Sequence, residues 1–251
     1  MLPTDLQNAL TPNFVNSLSL DRKVQLRNLL RRRKIAEQSE KLYQLFPDQG
    51  PHRRELYPKH LEHFAAGAIH RERCLMAANR IGKTVAGAYE VALHLTGRYP
   101  DWWAGKRFEE ATDCWAAGDT SETTRDIVQL ALTGVSGEAG ESALGTGLIP
   151  GSDIVGEPTH RRGIAGAYDT ITVTHQSGGE SKLGFKSYDQ GRKKFQGTAK
   201  HVIWLDEEPP IDVYSECLMR TMTTAGQIIC TFTPLSGMTE VALQFLQGDE
   251  R

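Results

Sequence analysis

The sequence predicts an α/β fold in which a central, mostly parallel sheet is flanked by helices and preceded by a helical segment. Three observations predict it. Cys74-Leu75-Met76-Ala77, an apolar run of buried-strand length, passes through a polar turn into a helical pattern from Thr84 to Thr96. A second apolar run, His201 to Leu205, ends in Asp206-Glu207. Around these two, strand-like and helix-like stretches alternate, the grammar of a parallel sheet.

Residues 1–48 read as a separate helical segment, with the main domain expected over 49–251. Leu18, Leu20, Val24, Leu26, Leu29, Leu30, Ile35, Leu42 and Leu45 carry a broken helical periodicity. Inside it lies a basic run, Arg27 and Arg31-Arg32-Arg33-Lys34, which is either a solvated face or a patch for DNA or a partner protein. Phe46-Pro47-Asp48-Gln49-Gly50-Pro51 breaks the pattern with turn residues. Leu56 to Phe64 is a short amphipathic stretch. After the helix at 84–96, the turn-rich loop Gly97 to Gly105 carries Trp102 and Trp103, which either plug a core edge or stack on bases or a partner. Asp113 to Gly118 is the next buried strand, and Thr120-Ser121 opens a helix that Gly134 ends.

Residues 134–166 are rich in glycine and turn formers and read as a long loop or insertion. Thr170 to His175 and Ser181 to Ser187 alternate at period two around Gly178-Gly179, a hairpin signal. Tyr188 to Gly197 is polar and basic and is expected on the surface. Pro209-Pro210 starts a helix over Ile211 to Met222. Gln227 to Phe232 is a last strand, followed by Thr233-Pro234-Leu235-Ser236-Gly237 and an amphipathic stretch from Thr239 to Leu246.

The chemistry concentrates at two of these strand ends. Ala77-Ala78-Asn79-Arg80-Ile81-Gly82-Lys83-Thr84 fits a phosphate-binding loop whose first glycine is replaced by Ala77. Backbone N–H groups in such a loop form a concave anion site. Lys83 supplies a mobile charge for the β and γ phosphates, and Thr84 a hydroxyl for Mg²⁺. Taken alone, the stretch is also compatible with a strand-to-helix turn and a solvated lysine. A strand ending in Asp206-Glu207 is the second half of a P-loop ATPase. Asp206 would position Mg²⁺, and Glu207 would orient water or accept its proton. Alone, those acids are equally an acidic helix start; beside the loop they read as catalytic. Tyr57 and His60, just upstream of the loop, are candidates to hold adenine, or simply to pack a helix on the sheet. Thr233, at the tip of the neighbouring strand, is placed to sense the γ-phosphate.

Composition narrows the field. With 29 basic against 31 acidic residues, nucleic-acid contact must come from local patches. Cys74, Cys114, Cys217 and Cys230 form no Cys-x-x-Cys pair, so buried, reduced thiols are expected rather than zinc or disulfides. No run is long and apolar enough for a membrane span, no signal peptide is visible, and no membrane partner is expected. GTP is disfavoured because no Asn-Lys-x-Asp segment is present.

Taken together, Asn79 to Thr84, Trp204-Leu205-Asp206-Glu207-Glu208 and Thr231-Phe232-Thr233-Pro234-Leu235-Ser236-Gly237 resemble the ATPase domain of tailed-bacteriophage terminase large subunits. Gly97 to Trp103 and Phe185 to Gly191 are similar to stretches of a phage terminase subgroup. The resemblance covers roughly residues 50–250. It implies an additional-strand (ASCE, RecA-like) P-loop NTPase that uses ATP and Mg²⁺ to drive double-stranded DNA into a procapsid. It also implies a homo-oligomeric ring, with the portal protein and small terminase subunit as partners, in the host cytoplasm at the portal vertex. By resemblance Lys83 and Thr84 serve phosphate and Mg²⁺, Asp206 Mg²⁺, Glu207 catalysis and Thr233 coupling.

Two departures stand out. Such proteins usually continue into a nuclease domain, whereas this chain stops at Arg251; an isolated ATPase domain without endonuclease activity is the expectation. Many relatives carry Arg-Gly shortly before the Asp-Glu strand, where this chain has Gln196-Gly197. The arginine finger is then Arg80, Arg192 or Arg220. Two alternatives to a packaging motor remain. One is another DNA-dependent P-loop ATPase, although a helicase would need a second RecA-like domain. The other is a module that docks on the portal or small subunit with negligible turnover.

Overall fold

The computed structural model describes residues 19, 20, 22–24, 26, 41–136, 143–235, 237 and 239–247. The chain divides into two units, Met1–Gln38 and Ser39–Arg251. In the first, residues 20, 22–24 and 26 are helical. The basic run at Arg27 and Arg31 to Lys34 lies outside the described residues. In the second, helix α1 (Lys41–Gln44) and the turn after it belong to the main core, because Leu42 and Phe46 are buried in it. The break at residues 46–51 is thus a turn within this unit. Phe46 takes φ 55° to make it.

Seven strands form one sheet: β1 (Glu72–Met76), β2 (Asp113–Gly118), β3 (Ile154–His160), β4 (Tyr168–Thr174), β5 (Glu180–Ser187), β6 (Val202–Asp206) and β7 (Gln227–Phe232). Their order is β1-β7-β6-β2-β5-β4-β3. The first five are parallel; β4 pairs antiparallel with β5, and β3 antiparallel with β4. β6 and β7 are buried along their whole length. That is why they read as continuous apolar runs rather than alternating ones. Parallel strands need crossovers on the sheet faces. Helix α2 (Pro58–Ala66) precedes β1, and α3 (Lys83–Thr96) carries the chain from β1 to β2. Tyr89, Val91, Leu93 and Leu95 of α3 fill one core with Phe64, Trp103, Leu183 and Trp204. A helical stretch, α4, follows β2. It consists of Ser121–Thr123, a π-helical Thr124–Gln129 and Leu130–Thr133, opened by a Thr120 capping box and closed by Gly134 at φ 82°. On the opposite face α5 (Ile211–Thr221) and α6 (Glu240–Leu246) cover Ile203, Leu205, Ile228 and Cys230.

The hairpin, the Asp113–Gly118 strand and the Gln227–Phe232 strand appear as the sequence predicts. Two stretches differ. Part of the expected loop at 134–166 is strand β3, an edge strand with six of seven residues not buried. It carries no apolar alternation, and Gly156 at φ 65° interrupts it. Tyr188 to Gly197 is not simply surface: Tyr188 and Phe195 are buried, Phe195 with its ring 5.9 Å from that of Trp115. Trp103 plugs the core, and Trp102 lies parallel to Tyr89 at 6.3 Å. Cys114, Cys217 and Cys230 are buried free thiols, and Cys74 is half-buried.

A charged network is buried under α3. Arg73 of β1 donates to Glu90 (Nη2 to Oε1 at 2.7 Å), to the His63 carbonyl at 2.7 Å and to Gln227 Oε1 at 2.9 Å. Burial alone would raise Glu90, but the Arg73 charge and the His94 ring hold its carboxyl down to about 2. His63 lies beside it, and burial lowers its ring to about 4 despite the Glu90 charge. The sign follows from linkage. The unfolded chain takes up a proton on His63 near its ordinary value while the folded chain stays neutral. Stability is therefore full above pH ~6.5 and falls as pH drops from there toward 4, by up to about 3 kcal/mol for His63 alone. Glu90 adds to the loss below its ordinary range. Thermal melts from pH 7.5 to 4.5 are expected to show a steadily falling midpoint, with a shallower slope in His63→Gln. A midpoint that rises on acidification contradicts the assignment.

Candidate nucleotide-binding site

All five parallel strands end at the same sheet edge, so the loop after β1, the acids after β6 and Thr233 after β7 meet there. The turn into α3 depends on Gly82, which sits at φ 87° as the N-cap residue. Only glycine takes that conformation cheaply. No side chain caps α3. Its first backbone N–H groups are therefore free of intrahelical partners and suited to an anion. Ala78, Asn79, Arg80 and Ile81 are exposed around this mouth, and Arg80 itself is left-handed at φ 65°.

Lys83 is buried. Its Nζ donates to the Ala78 carbonyl at 2.8 Å and to Thr233 Oγ1 at 2.7 Å. The Thr233 hydroxyl proton lies between Ala77 O (2.9 Å) and Asn79 Oδ1 (2.8 Å). The loop and the tip of β7 are thus joined through one lysine and one hydroxyl.

Thr84 Oγ1 stands 3.2 Å from both carboxylate oxygens of Asp206. Asp206 is buried, and burial pushes its carboxyl up to about 7, the Glu207 charge adding to the shift while bonds from Thr231 and Thr84 and the Lys83 charge oppose it. A cation beside it would return it to the ionised form. Glu207, by contrast, is exposed and turned off the strand at φ 62°. Its N–H donates to Thr231 O at 3.0 Å, and the Tyr188 hydroxyl donates to the carbonyls of Asp206 (2.9 Å) and Glu207 (3.1 Å). Tyr188 and Thr231 are supporting residues to which the sequence reading gives no role of their own. Thr231 was detectable in principle, since it shares a strand face with Thr233 at period two.

Next to the loop lies a cleft of about 680 Å³ lined by Leu45, Tyr57, Pro58, Arg80, Ile81 and Val85. Its size and apolar walls suit a planar base. Tyr57 lines it, standing edge-on to Phe46 and His60. His60 lines the same cleft and is largely buried, with the backbone of Ile81 and Gly82 against its ring. The three candidate arginines separate. Arg80 borders the cleft. Arg192 and Arg220 both bind Glu216 on α5, at 2.9 and 3.2 Å. The Arg220 carbonyl accepts from Lys200 N at 2.8 Å, just before β6 begins, so it sits at the sheet end opposite Asp206.

A phosphate loop, a strand-end Asp-Glu pair and an extra strand inserted between their two strands define an additional-strand P-loop NTPase. More narrowly, the chain belongs to the terminase large subunit family of T4-like virus type, whose N-terminal region matches residues 74–251. The terminase large subunit of Salmonella phage P22 is 36% identical over 255 residues, covering 95% of this chain and 49% of that protein. The chain thus spans about half the length of this curated relative. The large terminase ATPase domain of Thermus phage P74-26, solved as a mutant, has 17% identity over 72% of this chain and 69% of its own, with TM-score 0.45.

Proposed function

We propose that this chain is the ATP-hydrolysing motor domain of a viral terminase large subunit, driving double-stranded DNA into a procapsid. The observation that carries the reading is the meeting of Lys83, Thr84, Asp206 and Thr233 at one sheet edge, with Thr84 Oγ1 3.2 Å from both Asp206 oxygens. Family membership supplies the biological setting. Its partners would be DNA, the portal protein, the small terminase subunit and further copies of the chain in a ring, in the host cytoplasm at the portal vertex.

In this reading ATP phosphates seat on the loop N–H groups and the start of α3, and adenine occupies the cleft beside Tyr57. Lys83 exchanges Ala78 O and Thr233 Oγ1 for phosphate oxygens, which frees Thr233 and gives β7 a route to report nucleotide state. Thr84 and Asp206 fit Mg²⁺, which prefers hard oxygen donors and keeps several waters and phosphate oxygens as further ligands. When bound, the ion neutralises charge developing on the phosphates. Glu207, exposed at the edge, orients the attacking water and takes its proton.

Steady-state hydrolysis of ATP by the chain tests the reading. Measurable turnover that Lys83→Ala abolishes is expected, and it is followed across protein concentration and with double-stranded DNA added. ATP binding with no turnover at any concentration, with or without DNA, would instead make the domain a nucleotide-regulated docking module.

A further inference from the structure

We infer that Trp204 and Thr231 are positioning residues for Asp206, locking the direction of the hydroxyl that holds the carboxylate. The inference rests on the nucleotide-hydrolysing reading of the site. Trp204 Nε1 is 2.7 Å from Thr231 Oγ1, and Thr231 Oγ1 is 2.6 Å from Asp206 Oδ1. An indole nitrogen only donates, and a hydroxyl has one proton. Thr231 therefore accepts from Trp204 and must point its own proton at Asp206. Without the indole that hydroxyl is free to rotate and the carboxylate loses its fixed donor.

Helix α3 clamps the relay. A Cβ on Gly87 would fall 2.3 Å from Trp204 Nε1, so only glycine lets the helix lie this close to the indole. A glycine inside a helix is unfavourable relative to alanine, and close approach is the usual reason to keep one. The same helix carries Lys83 and Thr84 at its start. Among the described residues, Asp206 Oδ1 thus accepts from Thr231 and Thr84, while Oδ2 has only the longer contact with Thr84. Trp204, Thr231 and Asp206 are all buried, so no bulk water competes for these bonds.

Mn²⁺ binding in the presence of ADP, read from the free-ion paramagnetic resonance signal, tests this without using turnover. Outer-shell partners of metal ligands typically contribute 10–100-fold in affinity. Thr231→Val is expected to weaken Mn²⁺ binding about 10-fold or more, and Thr231→Ser to stay within about threefold of the parent. Gly87→Ala, which leaves the relay residues in place but pushes on the indole, is expected to follow Thr231→Val. ADP affinity in EDTA should change less than about twofold in all three, because Lys83 and the loop still hold the phosphates. Unchanged Mn²⁺ affinity in Thr231→Val overturns the inference. So does a parallel fall in metal-free ADP affinity, which would mark a general packing role. A parent chain that binds neither Mn²⁺ nor ADP would instead sink the functional reading itself.

Discussion

Glu207→Gln is expected to lower ATP turnover by about 10³-fold while leaving ATP binding intact, in line with the loss of a positioned general base. The substitution keeps size and shape and removes only the charge. The packing does not rest on that charge, because Glu207 is exposed and its backbone, not its side chain, is what Thr231 and Tyr188 hold. Phosphate binding should survive, since Lys83, Thr84 and the loop are untouched. Metal binding should survive as well, because the Glu207 charge is one of the influences that raise Asp206, and its loss leaves that carboxylate easier to ionise. Glu207→Asp is nearly as informative. It retains the charge but withdraws it by one methylene, and misplacement on this scale can cost about 10²-fold. Fluorescent-nucleotide titration and single-turnover hydrolysis separate the two steps. Lost binding, or turnover within tenfold of the parent, would remove Glu207 from the catalytic role.

How much of this could be read in the sequence depends on the range of each interaction. The phosphate loop and its helix are local in sequence, and Gly82-Lys83-Thr84 states them directly. β6 and β7 announce themselves because strands buried on both faces are uniformly apolar. What pairs with what was not legible. That β7 enters between β1 and β6, bringing Thr231 opposite Asp206, is a matter of register between distant strands. For the same reason Trp204 read as one more core residue, although its indole N–H serves the site. His60 was legible as a candidate cleft residue, but its contact with Gly82 was not, since only the fold brings helix α2 under the loop. β3 stayed hidden because an edge strand with little burial needs no apolar pattern. The arginine question is the sharpest instance. The family resemblance left three candidates, and only the positions of Glu216 and Lys200 separate them.

Arg80→Ala is expected to cost about 10³-fold or more in turnover, the scale of an arginine finger, with ATP affinity falling by less than about tenfold. Arg80 is exposed on the loop, borders the base cleft and holds φ 65°. A non-glycine residue there costs on the order of 1 kcal/mol, which a loop retains when the side chain is needed in that direction. Arg80→Gly therefore separates the two contributions: it relieves the backbone yet should be as slow as Arg80→Ala if charge is what matters. Mixing decides whether the charge acts within one subunit. Lys83→Ala subunits keep an intact Arg80, so they rescue Arg80→Ala only if the arginine reaches a neighbour's nucleotide. No rescue is expected. Arg192→Ala and Arg220→Ala should behave differently from Arg80→Ala. Each strips a partner from Glu216, which is 3% exposed. Loss of stability with near-parental turnover is the expected pattern, because a buried carboxylate short of a counter-charge destabilises the fold rather than the reaction. If either of these variants instead loses about 10³-fold in turnover and is rescued by Lys83→Ala subunits, the finger comes from α5 or its flank in a neighbouring subunit, and Arg80 is left with a structural role in the loop.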